Sequence, residues 1–157
     1  MNTHLPHYQI TSCHDQNTTV QTSSACCVSW YLVAAFEEDK EWSGVQFGFS
    51  DYDPNIFMFE RARACFPPNS ASIQYTTGGW PGPLSGVTLS TVVPWEGNWL
   101  AVFAFRTYVY GYNGSGLAQL IPDPTAAVPF GGFRNSASPP EKGDAALGGL
   151  GVNQPGT

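Results

Sequence analysis

The stretch Ser43-Gly44-Val45-Gln46-Phe47-Gly48-Phe49 alternates strictly between large apolar and small or polar residues. Successive side chains of a strand point to opposite faces, so Val45, Phe47 and Phe49 share one face and Gly44, Gln46 and Gly48 the other. One apolar face and one small or polar face is the pattern of a sheet buried on one side.

The same reading extends in both directions. Upstream, residues 27–36 form an apolar strand closed by the charged turn Glu37-Glu38-Asp39-Lys40. Downstream, a turn over residues 51–55 leads into a strand at 56–59, and Pro67-Pro68-Asn69 breaks the chain before a strand at 70–76. Proline and glycine in Gly78-Gly79-Trp80-Pro81-Gly82-Pro83 exclude both helix and ladder. Residues 86–93 are β-branched, Pro94-Trp95-Glu96-Gly97 reads as a turn, and residues 99–110 form the longest and most central strand, with a last one at 117–121. A weak strand is expected at 18–22. No segment repeats at helical spacing. About eight short strands at roughly ten-residue intervals predict an all-β fold, an antiparallel β-sandwich. The expected organisation is a polar N-terminal tail over residues 1–25, able to exchange as a strand between subunits, a β-sandwich domain over 26–133, and a Gly/Pro-rich C-terminal tail over 134–157.

Composition narrows the function classes. The 157 residues are 42% hydrophobic, enough for one core, and only 11% charged, with a net charge of −6. Six Lys plus Arg make no cationic footprint for nucleic acid, and an anionic membrane surface is disfavoured for the same reason. No apolar run approaches the roughly 20 residues of a membrane span. The first residues have no cationic head and no apolar stretch, so they are not a signal peptide.

Four cysteines, Cys13, Cys26, Cys27 and Cys65, allow three pairings. Neighbours on a strand point apart, so the expected arrangement ties one of Cys26 and Cys27 to Cys13 and the other to Cys65. Free core thiols and a metal site are the alternatives. An even cysteine count in an acidic, turn-rich chain fits an oxidising compartment. The expected location is therefore extracellular or at the cell surface, with the leader missing from this chain.

The stretch from Trp42 to Phe59, with Gly44-Val45-Gln46-Phe47 running into Tyr52-Asp53-Pro54-Asn55, resembles the early strands of cohesin-like domains, and residues 28–36 match the strand before them. The second half departs from that pattern at residues 78–83 and in the aromatic run 99–112. With Phe130-Gly131-Gly132-Phe133 and Leu147-Gly148-Gly149-Leu150, the whole chain is similar to uncharacterised secreted β-sandwich proteins of environmental bacteria. The resemblance implies an extracellular cohesin-like or Ig-like protein-binding sandwich. It identifies no contact surface and carries over no dockerin binding.

Individual residues suggest few sites. Asp51-x-Asp53-x-Asn55 offers alternating oxygen ligands for calcium, but Ile56 and Ala62 stand where an EF-hand needs glycine and glutamate, and a plain turn is the simpler reading. No other cofactor is expected. Trp80, Trp95 and Tyr112 could stack on sugar rings; aromatics in strands more often build cores. Glu37, Glu38, Asp39 and Glu41 read as a solvated turn before they read as a glycosidase pair. His4, His7 and His14 all lie in the N-terminal tail, away from any triad in the folded body. The expected function is a non-catalytic structural or adhesive module, a subunit of a self-assembling surface fibre, with self-association or another extracellular protein as partner. The alternative is a carbohydrate-binding module that recognises polysaccharide.

Overall fold

Two strands of 25 residues each organise the molecule. The computed structural model describes residues 18–67, 70–75, 79–127, 130–135 and 142–156. Nine strands occur among them: β1 (Thr19–Val20), β2 (Ala25–Phe49), β3 (Phe57–Ala64), β4 (Ala71–Tyr75), β5 (Gly86–Tyr110), β6 (Gly116–Ile121), β7 (Gly132–Arg134), β8 (Lys142–Asp144) and β9 (Gly149–Val152). They hold 64% of the described residues, with almost no helix.

The strands form one open sheet in the order β1-β9-β6-β2-β5-β3; β4 also pairs with β5, and β7 links β2 to β8. All pairings are antiparallel except that of β1 with β9, so the sheet is mixed rather than purely antiparallel. β2 and β5 are hydrogen-bonded along most of their length. Ala25 faces Tyr110 at one end and Gly48 faces Gly86 at the other.

The two segments expected as turns are instead the middle of this ribbon. Lys40, Glu41 and Trp42 pair with Gly97, Glu96 and Trp95, so the charged and the Pro/Gly segments supply each other's ladder partners. Two bulges flank the pairing. Residues 36–39 of β2 lie opposite Asn98 alone, and residues 91–94 of β5 lie opposite Ser43 alone. Extra residues on alternate strands bend a ribbon and increase its twist. The bend lets the two halves meet through their inner faces. Phe47 lies 5.8 Å from Phe103, Phe49 lies 5.7 Å from Phe105, and Trp30 stacks on Phe105 at 4.4 Å. Trp42, Phe47, Phe49, Phe57, Phe103 and Phe105 are almost wholly buried in this core. Val45, Phe47 and Phe49 do face it, as the alternation requires.

The stretch expected as a C-terminal tail supplies β8 and β9, and Leu150 and Val152 of β9 are buried. Residues 1–17 of the expected N-terminal tail lie outside the described residues. Where the description begins, the chain is tied down: Gly151 N–H donates to Thr18 O at 2.8 Å, and Asn153 N–H donates to Val20 O at 2.9 Å. Gly156 N–H reaches Thr19 Oγ1 at 3.3 Å.

Candidate functional site

β2 has neighbours on both sides only in its second half, where residues 44–46 also pair with β7 and residues 48–49 with β6. Over residues 25–36 its only ladder partner among the described residues is β5. This free edge, Ala25-Cys-Cys-Val-Ser-Trp-Tyr-Leu-Val-Ala-Ala-Phe36, contains no charge and no proline. Natural sheets usually guard an edge with one or the other, because unpaired N–H and C=O groups template a further strand.

A cleft of about 1050 Å³ runs along this edge. Trp30 and Leu32 line it from one face of the strand and Ser29 and Tyr31 from the other. Residues pointing both ways can share a wall only if the wall is the strand's own backbone edge. Residues 145–150 also line it, together with the buried side chains of Trp42, Val45, Phe47 and Leu120. Phe36 and Trp42 both make edge contacts with Phe133 there, at 5.0 and 5.4 Å. Trp30 Nε1 donates to Thr107 Oγ1 at 3.0 Å, whereas the buried Trp42 Nε1 has no hydrogen-bond partner among the described residues. Its charged lining residues are Glu37, Lys40, Glu41 and Arg134.

Such a cleft suits an extended chain. The nine residues 29–37 span about 30 Å as a strand, and their outward N–H and C=O groups match those of an added strand. The apolar lining would receive alternate side chains of the incoming segment. Among the described residues there is no group of three or more His, Cys, Asp or Glu side chains that could hold a metal.

The residues singled out from sequence do not converge. Trp80 turns inward, with its ring 5.4 Å from Phe47 and 5.3 Å from Phe49, and its buried Nε1 has no partner among the described residues. Trp95 is half-buried against Phe66 at 4.9 Å. Tyr112 is 63% exposed on the 3-10 turn Gly111–Asn113, where it meets Tyr110. These three aromatics occupy three separate places. Asp53 Oδ1 is engaged by the turn itself, accepting from Asn55 N at 2.8 Å and Asn55 Nδ2 at 2.9 Å, and Asp51 is exposed beside it.

Cys13 lies outside the described residues, as do His4, His7 and His14. The bridge anticipated between Cys65 and one of the paired cysteines is not made, and Cys26, Cys27 and Cys65 are free thiols. The register explains why. Cys26 and Cys27 face Val109 and Tyr108, whereas Cys65 N–H donates to Val102 O, six or seven positions further along β5. That is about 20 Å of strand, far beyond the reach of a disulfide. Burial pushes the Cys65 thiol up to about 11, against a lowering by the Arg63 charge.

Comparison with protein-family models, curated proteins and solved structures finds no significant match. The weight therefore falls on the cleft. Its one sequence signal is the uncharged, proline-free run at 25–36; which edge of that run stays unpaired is decided by partners far away in the chain.

Proposed function

We propose that this chain is a non-catalytic β-sandwich module of structural or adhesive kind, acting outside the cell or at its surface, and that it assembles by accepting an extended strand along the open edge of β2. The donor is a second copy of the chain. The observation that carries this reading is the coincidence of an unguarded strand edge with an apolar cleft of strand length. Strand addition supplies affinity through main-chain hydrogen bonds, and alternate side chains seated in pockets supply selectivity. A contact of this kind between unlike surfaces continues from copy to copy and builds a fibre. The sandwich description rests on the two halves of the β2–β5 ribbon facing each other across one aromatic core, and the cohesin-like or Ig-like resemblance belongs to the same proposal.

The test is multi-angle light scattering over a concentration series, with negative-stain microscopy of the concentrated sample. The wild-type protein is expected to form concentration-dependent oligomers. The variant Ser29→Lys/Val33→Lys, which places charge along the free edge without touching a buried residue, is expected to stay monomeric with an unchanged circular dichroism spectrum. A wild-type protein that is monomeric at every concentration, or a folded lysine variant that assembles as well as the parent, refutes the proposal.

A further inference from the structure

The exterior of the sheet formed by the first half of β2, by β5 and by β3 departs from the electrostatics of the rest of the molecule. The chain has six Lys plus Arg against twelve Asp plus Glu. Three of those six cations, Arg61, Arg63 and Arg106, lie on this one face. Register places them there: Arg61 is opposite Arg106, and Arg63 is opposite Ala104, while Phe103, Phe105 and Thr107 alternate into the core. All three arginines are exposed.

A bulge in β3 creates the arrangement. The register shifts between Phe59 and Arg61, leaving Glu60 as the extra residue. Phe57 and Phe59 point inward before the bulge, and Ala62 and Ala64 point inward after it. Without that extra residue, the alternation would turn Arg61 and Arg63 into the core and Ala62 outward. Bulges re-aim side chains in this way beside binding sites.

The face is not neutralised by its own residues. Glu60 Oε2 accepts from Arg106 Nε at 2.8 Å, and the same Nε lies 3.1 Å from Cys27 Sγ. Arg61 and Arg63 have no carboxylate partner among the described residues. Two arginines directly across a strand pair repel, and one glutamate offsets only one of three charges. Half-exposed tyrosines border the cations. Tyr108 lies one residue pair beyond Arg106 along β5, Tyr110 follows it, and Tyr31 faces Ala104 from β2.

We propose that this arginine–tyrosine face binds an acidic polysaccharide, a polymer of uronate sugars. Guanidinium groups take carboxylates with two parallel hydrogen bonds. Alternate residues on a strand are about 7 Å apart, so Arg61 and Arg63 present the cationic sites as a row. Tyrosine offers an apolar ring for the face of a sugar and a hydroxyl for its rim. The molecule's net charge of −6 repels polyanions at long range, so recognition is confined to this face. It therefore depends on direct contacts rather than on steering.

The test is isothermal titration calorimetry of the full chain with polygalacturonate, with dextran as neutral polymer and poly-glutamate as non-sugar polyanion. Polygalacturonate is expected to bind, and dextran and poly-glutamate to bind at least about tenfold more weakly. Arg61→Gln/Arg63→Gln should weaken polygalacturonate binding by about tenfold, Arg61→Lys/Arg63→Lys by less, and Tyr108→Ser should weaken it while leaving the circular dichroism spectrum unchanged. Absence of polygalacturonate binding overturns the proposal. So does equal binding of dextran, which removes the role of charge, and so does equal binding of poly-glutamate, which removes the role of the sugar.

Discussion

Phe47 and Phe103 meet at 5.8 Å with their planes 80° apart, although they sit in opposite halves of the same hydrogen-bonded ribbon. Phe47 pairs with Val87 and Phe103 with Leu32, so neither is the other's ladder neighbour. Their contact is what the bend at residues 36–43 and 91–98 achieves, and it closes the core between the two halves.

Truncating either ring should therefore destabilise the whole domain rather than one layer. Phe47→Ala and Phe103→Ala are each expected to cost about 3–5 kcal/mol in urea unfolding, the range for a large buried ring. The double variant should cost less than the sum of the two, because the second truncation removes a contact already lost. Strict additivity would show that the halves do not share a core.

Two glycines separate close approach from mere flexibility. A side-chain carbon on Gly86 would run into the carboxylate of buried Asp123, which is fixed by Thr125 N at 2.9 Å and Thr125 Oγ1 at 2.7 Å. Gly143 has open space at the same position. Gly86→Ala should lower stability by about 1–3 kcal/mol, and Gly143→Ala should leave the melting temperature nearly unchanged. Equal effects would show that Asp123 does not crowd Gly86.

The thiols should differ in reactivity. Exposed Cys27 should be alkylated first by iodoacetamide at neutral pH, and half-buried Cys65 should lag, because burial holds its thiol protonated up to about 11. Peptide mass spectrometry with and without reductant reads the order, and also reports the state of Cys13. Early labelling of Cys65 would count against its burial.

Alkaline stability follows from the same groups. Burial raises both the Cys65 thiol, from 9.0 to about 11, and the Tyr52 phenol, whose hydroxyl donates to Pro81 O at 2.8 Å. A folded pKa above the unfolded one contributes stability that is whole below the unfolded value and is lost as pH rises through the folded value. The melting temperature should therefore fall from pH 9 upward. Tyr52→Phe should flatten the fall above pH 10, at a cost of about 1 kcal/mol at neutral pH from the lost hydrogen bond. A profile flat through pH 11 would be the opposing result.

Strand character was legible along much of the chain, and the inward face of residues 45–49 with it, because alternation is local; the buried side of residues 103–109 emerges from the register of β5. The segments 37–40 and 94–97 misled because charge, proline and glycine signal a turn wherever they cluster, whereas here Lys40 pairs with Gly97 and residues 37–39 and 94 fall in the flanking bulges. Trp80 sits in a proline-glycine loop that reads as surface, yet the bend of the ribbon brings Phe47 and Phe49 beneath it. The C-terminal strands are poor in strand-forming residues. They hold because close backbone approach suits glycine: a side chain on Gly149 would press on Ala118 O. The arginine face needed the register of β3, which hinges on one bulged residue, Glu60.

The parallel pairing of β1 with β9 sets Thr19 beside Gly151, and past β9 the chain folds back so far that a single added carbon on Gly156 would strike the Thr18 carbonyl. Residues 18 to 156 thus come close to tracing a ring. A short peptide joining these two points, with the chain reopened at the exposed turn after Tyr112, would yield a circular permutant with the same strand neighbours in a different order of synthesis.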